Sequence, residues 1–140
     1  MSHRLPKAVR LHGRAAIDEL FKSGSRFNLA PFRVVWQLKP KKEGAPLRFG
    51  ISVSKKVSRK AHERNRIKRL IREAMRITLG ELQEELRKTS VQLNFFILYT
   101  GEIQAPFEEI RHKIILLLNR LKSLHEKHPK QDPDISNQAL

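Results

Sequence analysis

The chain has 140 residues, enough for one modest core, and carries 29 Lys and Arg against 14 Asp and Glu, for a formal charge of +15. A charge of that size repels itself, so the physical expectation is a polyanionic partner, and no lipid-anchor signal points to a membrane surface. The lack of cysteine excludes disulfides and thiolate metal sites and fits a reducing cytosol. The longest apolar run, Ile114 to Leu118, is far too short to span a bilayer, and the N-terminal MSHRLPKAVRL has no secretory h-region.

Residues 1–12 are basic, contain Pro6, and are expected to be irregular or extended. Gly13 to Ser23 reads as a short helix with Ile17, Leu20 and Phe21 on one side, and Gly24 is placed to end it. Phe32 to Lys39 predicts a strand, with Phe32, Val34, Trp36 and Leu38 facing one way and Arg33, Val35 and Gln37 the other. After the cationic loop KPKKEGAP, Leu47 to Ser54 predicts a second strand, and the short connection predicts that the two pair as a hairpin. A helix is predicted from about Arg59 to Leu79, interrupted at Gly80, with a further helical segment over Glu81 to Lys88. Val91 to Thr100 (VQLNFFILYT) predicts a central strand, because it is so apolar in its middle. Pro106 suits the first turn of a last helix, whose apolar face runs from Phe107 through Ile110, Ile114, Leu117, Leu118 and Leu121 to Leu124. From His125 onward the polar, proline-containing composition predicts a disordered tail, so the reading is one domain over 1–124 and a tail over 125–140. The element order helix-strand-strand-helix-strand-helix describes a small two-layer α/β sandwich.

The most informative segment is Lys55 to Arg76, KKVSRKAHERNRIKRLIREAMR, where Glu63 and Glu73 are the only acids among ten Lys and Arg. Ile67, Leu70, Ile71, Ala74 and Met75 follow the spacing of one buried helical stripe. At about 100° per residue, Asn65, Lys68, Arg69, Arg72 and Arg76 fall together on a neighbouring arc. With acids this scarce, internal ion pairs cannot absorb the cations, so the stripe is a candidate surface for nucleic-acid phosphates rather than a merely solvated face. Arg64 stands at the edge of the apolar face, Arg66 has Glu73 seven residues on as a possible partner, and Asn65 has helix capping as its structural alternative.

Here the chain resembles a known family. A strand ending in Ser-Val-Ser-Lys-Lys (Ser52 to Lys56), followed by Arg64-Asn65-Arg66-Ile67-Lys68-Arg69-Leu70 on a helix, is similar to the signature of the bacterial ribonuclease P protein component. The likeness extends over about residues 5 to 124: Arg10-Leu11, then a helix with Phe21, a strand with Trp36, and Phe95 to Leu98 after the basic helix, all in the family's order. The resemblance implies an α/β sandwich whose parallel strands flank the basic helix in a left-handed crossover. It also implies cytoplasmic work as the accessory protein of an endoribonuclease whose RNA subunit carries the chemistry. The partners implied are the catalytic RNA, bound through Arg64, Asn65, Arg66, Lys68, Arg69, Arg72 and Arg76, and precursor tRNA. The 5′ leader of the precursor would lie in a cleft between the first helix and the sheet, for which the candidates are Ile17, Phe21, Phe32, Trp36, Lys55 and Lys56. No obligate protein partner is implied. One departure is Ile17, where the family often has an aromatic.

Core packing is the structural alternative for Phe21, Phe32 and Trp36, since a leader needs accessible π-faces with cations at the rim. The six histidines are scattered, and His125-x-x-His128 has ligand spacing but no third partner, which does not describe a zinc site. Metal-dependent phosphodiester cleavage needs clustered carboxylates, yet the only Asp are Asp18, Asp132 and Asp134. The chemistry is therefore expected to lie elsewhere, which agrees with what the resemblance implies: an RNA active site with hydrated magnesium (Mg2+) held by RNA and not by a protein site. The rival readings are a general RNA-binding or ribosomal protein, which would share the composition without the paired motifs, a major-groove DNA binder, which would place a short helix before the basic one, and a stand-alone nuclease.

Overall fold

The computed structural model describes residues 10–11, 13–40 and 45–127; residues 1–9, 12, 41–44 and 128–140, and with them most of the expected N-terminal segment and of the expected tail, lie outside the described residues. Among the described residues, three helices and four strands follow in the order α1 (Arg14–Ser23), β1 (Ser25–Leu29), β2 (Phe32–Pro40), β3 (Leu47–Val53), α2 (Ala61–Arg87), β4 (Val91–Tyr99) and α3 (Phe107–Lys127). The mixed α/β class is as expected from the sequence, with one strand more. The five-residue β1, SRFNL, has only Phe27 and Leu29 as an apolar pair, too weak an alternation to stand out, and it is held by antiparallel pairing from Ser25↔Trp36 to Leu29↔Phe32.

The sheet order is β1-β2-β4-β3, which corrects the expected hairpin: β2 and β3 do not pair with each other. β4 lies between them, antiparallel to β2 from Phe32↔Tyr99 to Pro40↔Val91 and parallel to β3 from Leu47↔Leu93 to Val53↔Tyr99. A short connection favours local pairing, but the most apolar strand gains most from having neighbours on both edges, and here that outweighs loop closure. Because β3 and β4 run parallel, the chain must cross the sheet between them, and α2 is that crossing.

Strand alternation divides the side chains between two cores. On one face Phe32, Val34, Trp36, Phe49, Phe95, Ile97 and Tyr99 pack beneath α2 and α3, with the Phe49 and Phe95 rings stacked at 5.4 Å. On the other face Val35 packs with Leu20 and Leu11, and Ile17 and Phe96 close over this smaller cluster. Gly50 is paired with Phe96 across β3 and β4, and a Cβ there would stand 2.7 Å from the Phe96 ring. Only glycine leaves that ring its place.

α2 runs unbroken through Gly80, contrary to the expected interruption. Leu79, Leu82 and Leu86 continue the buried stripe of Ile67, Ile71, Ala74 and Met75. Their burial, at roughly 1.5–3 kcal/mol per side chain, exceeds the helical penalty of one glycine, about 1 kcal/mol. Leu70 is half-buried beside this stripe. No helix among the described residues is long and apolar enough to cross a membrane.

α3 also continues past Leu124 to Lys127, so His125 belongs to the packed structure and not to a tail. It is only 3% exposed, and neither ring nitrogen has a hydrogen-bond partner among the described residues. Burial holds its pKa below the ordinary value of 6.5, against the opposing pull of Glu126 on α3 and Glu85 on α2. The unfolded chain therefore takes up a proton that the folded chain resists, so stability is full above about pH 7 and falls as pH drops through 6.5 toward the lowered folded value. Urea melts should show this decline, and His125→Leu should flatten it while adding stability on the order of 1 kcal/mol at pH 6.

Candidate nucleic-acid interface

The start of α2 is organised without a side-chain cap from Lys60, its N-cap residue. Ser58 does that work instead. Its hydroxyl donates to the Glu63 carboxylate and accepts from the Lys60 N–H at 3.1 Å, while its carbonyl accepts from Arg64 Nη1 at 2.9 Å. The hydrogen bond from Ser58 is the main cause that holds the Glu63 carboxyl below its ordinary value. One of the two acids in the segment is thus committed to the helix start, and the other, Glu73, accepts from Arg76 in an ion pair one turn on.

These commitments sort the expected RNA-binding residues. Arg64 and Arg76 are tied to Ser58 and Glu73, and Arg66, rather than meeting Glu73, donates to the Ile103 carbonyl at 3.0 Å. Asn65 is exposed within the helix, beyond the N-cap position, so capping is not its role. The side chains of Asn65, Lys68 and Arg69 make no hydrogen bond or ion pair with another described residue; Asn65 and Arg69 are exposed and Lys68 is half-buried. Arg72 turns from this stripe toward the edge of β3.

A groove of about 580 Å³ opens on the α1 face of the sheet. Its floor is Val35, Phe96 and Leu98, its wall is Phe21, and Arg26 and Arg33 bring positive charge. Phe21, 37% exposed, meets the Phe96 ring edge-on at 5.1 Å. A second lobe of about 230 Å³ shares Arg33 and Leu98 and continues past Ser54 to Lys56. The helix that forms the wall is held at two points: Lys39 pairs with Glu19 at 2.6 Å, and Arg26 donates to the Phe21 carbonyl.

Of the six expected cleft residues, the groove contains Phe21 and Lys56. Lys55 is exposed beside it and lines neither lobe, and Ile17 packs on the other side of α1. Phe32 and Trp36 are 1% and 2% exposed in the opposite core, which corrects their assignment: the even-numbered alternation of β2 points them at α2 and α3. The residues that take their place, Arg33, Phe96 and Leu98, were findable by parity, since Arg33 opposes Trp36 on β2 and Phe96 opposes Phe95 on β4. Phe96 also supplies an aromatic neighbour for Phe21 where α1 offers only Ile17. Among the described residues, no three His, Asp or Glu side chains converge as a metal site.

Trp36→Ala should therefore act as a core truncation, lowering stability by about 3–5 kcal/mol in a thermal melt. Any loss of affinity for RNA should fall equally on every RNA tested, and a selective loss would contradict its burial.

Comparison with known proteins agrees over most of the chain. The family model Ribonuclease P matches residues 5–122. The ribonuclease P protein component of Porphyromonas gingivalis is 31% identical over 117 residues, covering 84% of this chain and 85% of the relative. That of Microcystis aeruginosa is 32% identical over 123 residues, covering 86% and 97%. Among solved structures, the Staphylococcus aureus RNase P protein is similar with a TM-score of 0.62 at 26% identity, over 83% of this chain and 97% of that one. The Thermotoga maritima RNase P protein gives 0.61 at 25% identity, over 79% and 96%.

Proposed function

This chain belongs to the ribonuclease P protein family, and on that premise we propose that it binds the catalytic RNA through the open face of α2 and receives the 5′ leader of precursor tRNA in the α1 groove. The observation that carries the first part is the commitment of Glu63 and Glu73 to local partners, which leaves Lys68 and Arg69, beside Asn65, without an internal counter-charge among the described residues. Each phosphate neutralised there releases condensed counterions, which favours association and lessens the magnesium needed to hold two RNAs together. The second part rests on the groove itself. Phe21 offers an accessible ring, Phe96 and Leu98 an apolar floor, and Arg33 and Lys56 positive charge along the line of the two lobes. Stacking accepts any base, so such a groove suits a single strand of variable sequence.

In this reading the protein is the accessory subunit of a cytoplasmic ribonucleoprotein endonuclease, with no obligate protein partner. Hydrated magnesium would be held by RNA phosphates and would there supply an activated water, while this chain's residues bind and orient RNA. Purified protein alone should leave precursor tRNA intact. Added to ribonuclease P RNA, it should allow correct 5′ processing at lower magnesium. Correctly placed cleavage by an RNA-free preparation would move the chemistry into the polypeptide and overturn this division of labour.

The groove has its own test. Phe21→Ala combined with Arg33→Gln should weaken holoenzyme binding of leader-bearing precursor by roughly 10- to 100-fold, in line with one lost stack and one lost phosphate contact. Mature tRNA should bind as before. Equal losses for both RNAs in a folded variant would remove the leader from this groove.

A further inference from the structure

A third groove, of about 390 Å³, lies along the edge of β3 on the Ile17 side of α1. It brings together two guanidinium groups from distant parts of the chain. Arg10 stands where the N-terminal segment makes a parallel bridge to β3 at Phe49, secured by the Leu11 N–H donating to the Phe49 carbonyl at 2.8 Å. Arg72 reaches the same groove from α2, and Ser52 lines it between the two elements. No carboxylate is among the described lining residues. Burial first, and the charge of Arg10 second, hold the Arg72 guanidinium below its ordinary value, although one side of it remains open to water. Like charges brought into one partly dehydrated groove raise the energy of the free protein, and an anion placed between them lowers it. Phosphate oxygens fit this arrangement, since each guanidinium presents a planar fork of donors.

We propose that Arg10 and Arg72 clasp one phosphate of an RNA strand in this groove, a site distinct from the open stripe of Asn65, Lys68 and Arg69. The proposal rests on the reading that the chain binds ribonuclease P RNA and its substrate. The strand has two sources, the catalytic RNA or the leader, because the groove adjoins the main one through Ser52 and Phe96.

The salt dependence of binding separates one shared phosphate from two independent ones. Arg10→Gln, Arg72→Gln and the double variant are made in the full chain, with Arg69→Gln as a control on the open stripe. If one phosphate is shared, each single variant lowers affinity several-fold yet leaves the log–log salt slope nearly unchanged, since the remaining guanidinium still neutralises it. The double variant then lowers the slope by about 0.7–0.9, the value of one phosphate. A slope that falls by that amount in each single variant and by twice as much in the double one overturns the shared site, as does unchanged affinity in the double variant. Losses seen with catalytic RNA alone assign the phosphate to that RNA. Losses confined to holoenzyme binding of leader-bearing precursor assign it to the leader. If Arg69→Gln weakens binding while the Arg10 and Arg72 variants do not, this site falls and the broader RNA-binding reading stands; if none of them weakens it, both fall. Should the Gln variants fail to fold, Arg10→Lys and Arg72→Lys retain charge while removing the forks, and affinity losses that multiply in the double variant would likewise overturn the shared phosphate.

Discussion

The placement of β4 between β2 and β3 is the constraint on which the rest of the structure depends. Val91, Leu93, Phe95, Ile97 and Tyr99 are buried on one face of that strand, while Phe96 and Leu98 stand half-buried on the other. The first set anchors α2 and α3 and so determines which side of α2 is turned away from water. The second set floors the groove against α1. Parallel pairing with β3 requires a crossing element, and that element carries the cationic stripe. One strand therefore positions the open face of α2 over one side of the sheet and the α1 groove on the other.

Electrostatic economy is the second principle of the molecule. With a formal charge of +15, the few acids matter by position more than by number. Glu63 closes the start of α2, Glu73 holds Arg76, Glu19 holds Lys39 against α1, and Glu81 accepts from Lys122 at 3.3 Å between α2 and α3. Exposed pairs of this kind contribute little to stability, commonly 0–1 kcal/mol. Their larger effect is selective: they occupy cations needed for architecture and leave Lys68 and Arg69 without an internal counter-charge among the described residues.

Much of this was legible in the residues. The buried stripe of α2, the alternation of β2 and the centrality of β4 follow from local periodicity, which a side chain reports without knowledge of its distant neighbours. Strand order did not follow, because edge partners are chosen by the whole sheet, and the short link between β2 and β3 argued for a pairing that β4 displaces. The helix through Gly80 was hidden for a related reason: the helical penalty of glycine is local, whereas the burial of Leu82 and Leu86 is tertiary. The groove illustrates how parity, once coupled to fold, decides function. An isolated Trp invites a binding role, yet Trp36 lies on the core face of β2 and Arg33, three residues earlier, lies on the groove face. The odd-numbered side of β2 carried the information.

The fixing of α1 has a thermodynamic consequence for whatever enters the groove. Its wall is pinned through Glu19 and through the carbonyl of Phe21, and its floor is hydrogen-bonded sheet, so neither side must be ordered on binding. A single-stranded guest then bears nearly all the loss of conformational freedom, at several rotatable bonds per nucleotide. Leaders that are already stacked and extended in solution would fit with a smaller entropic loss than supple or self-paired ones. The groove would thus distinguish its guests by their stiffness before it read any of their bases.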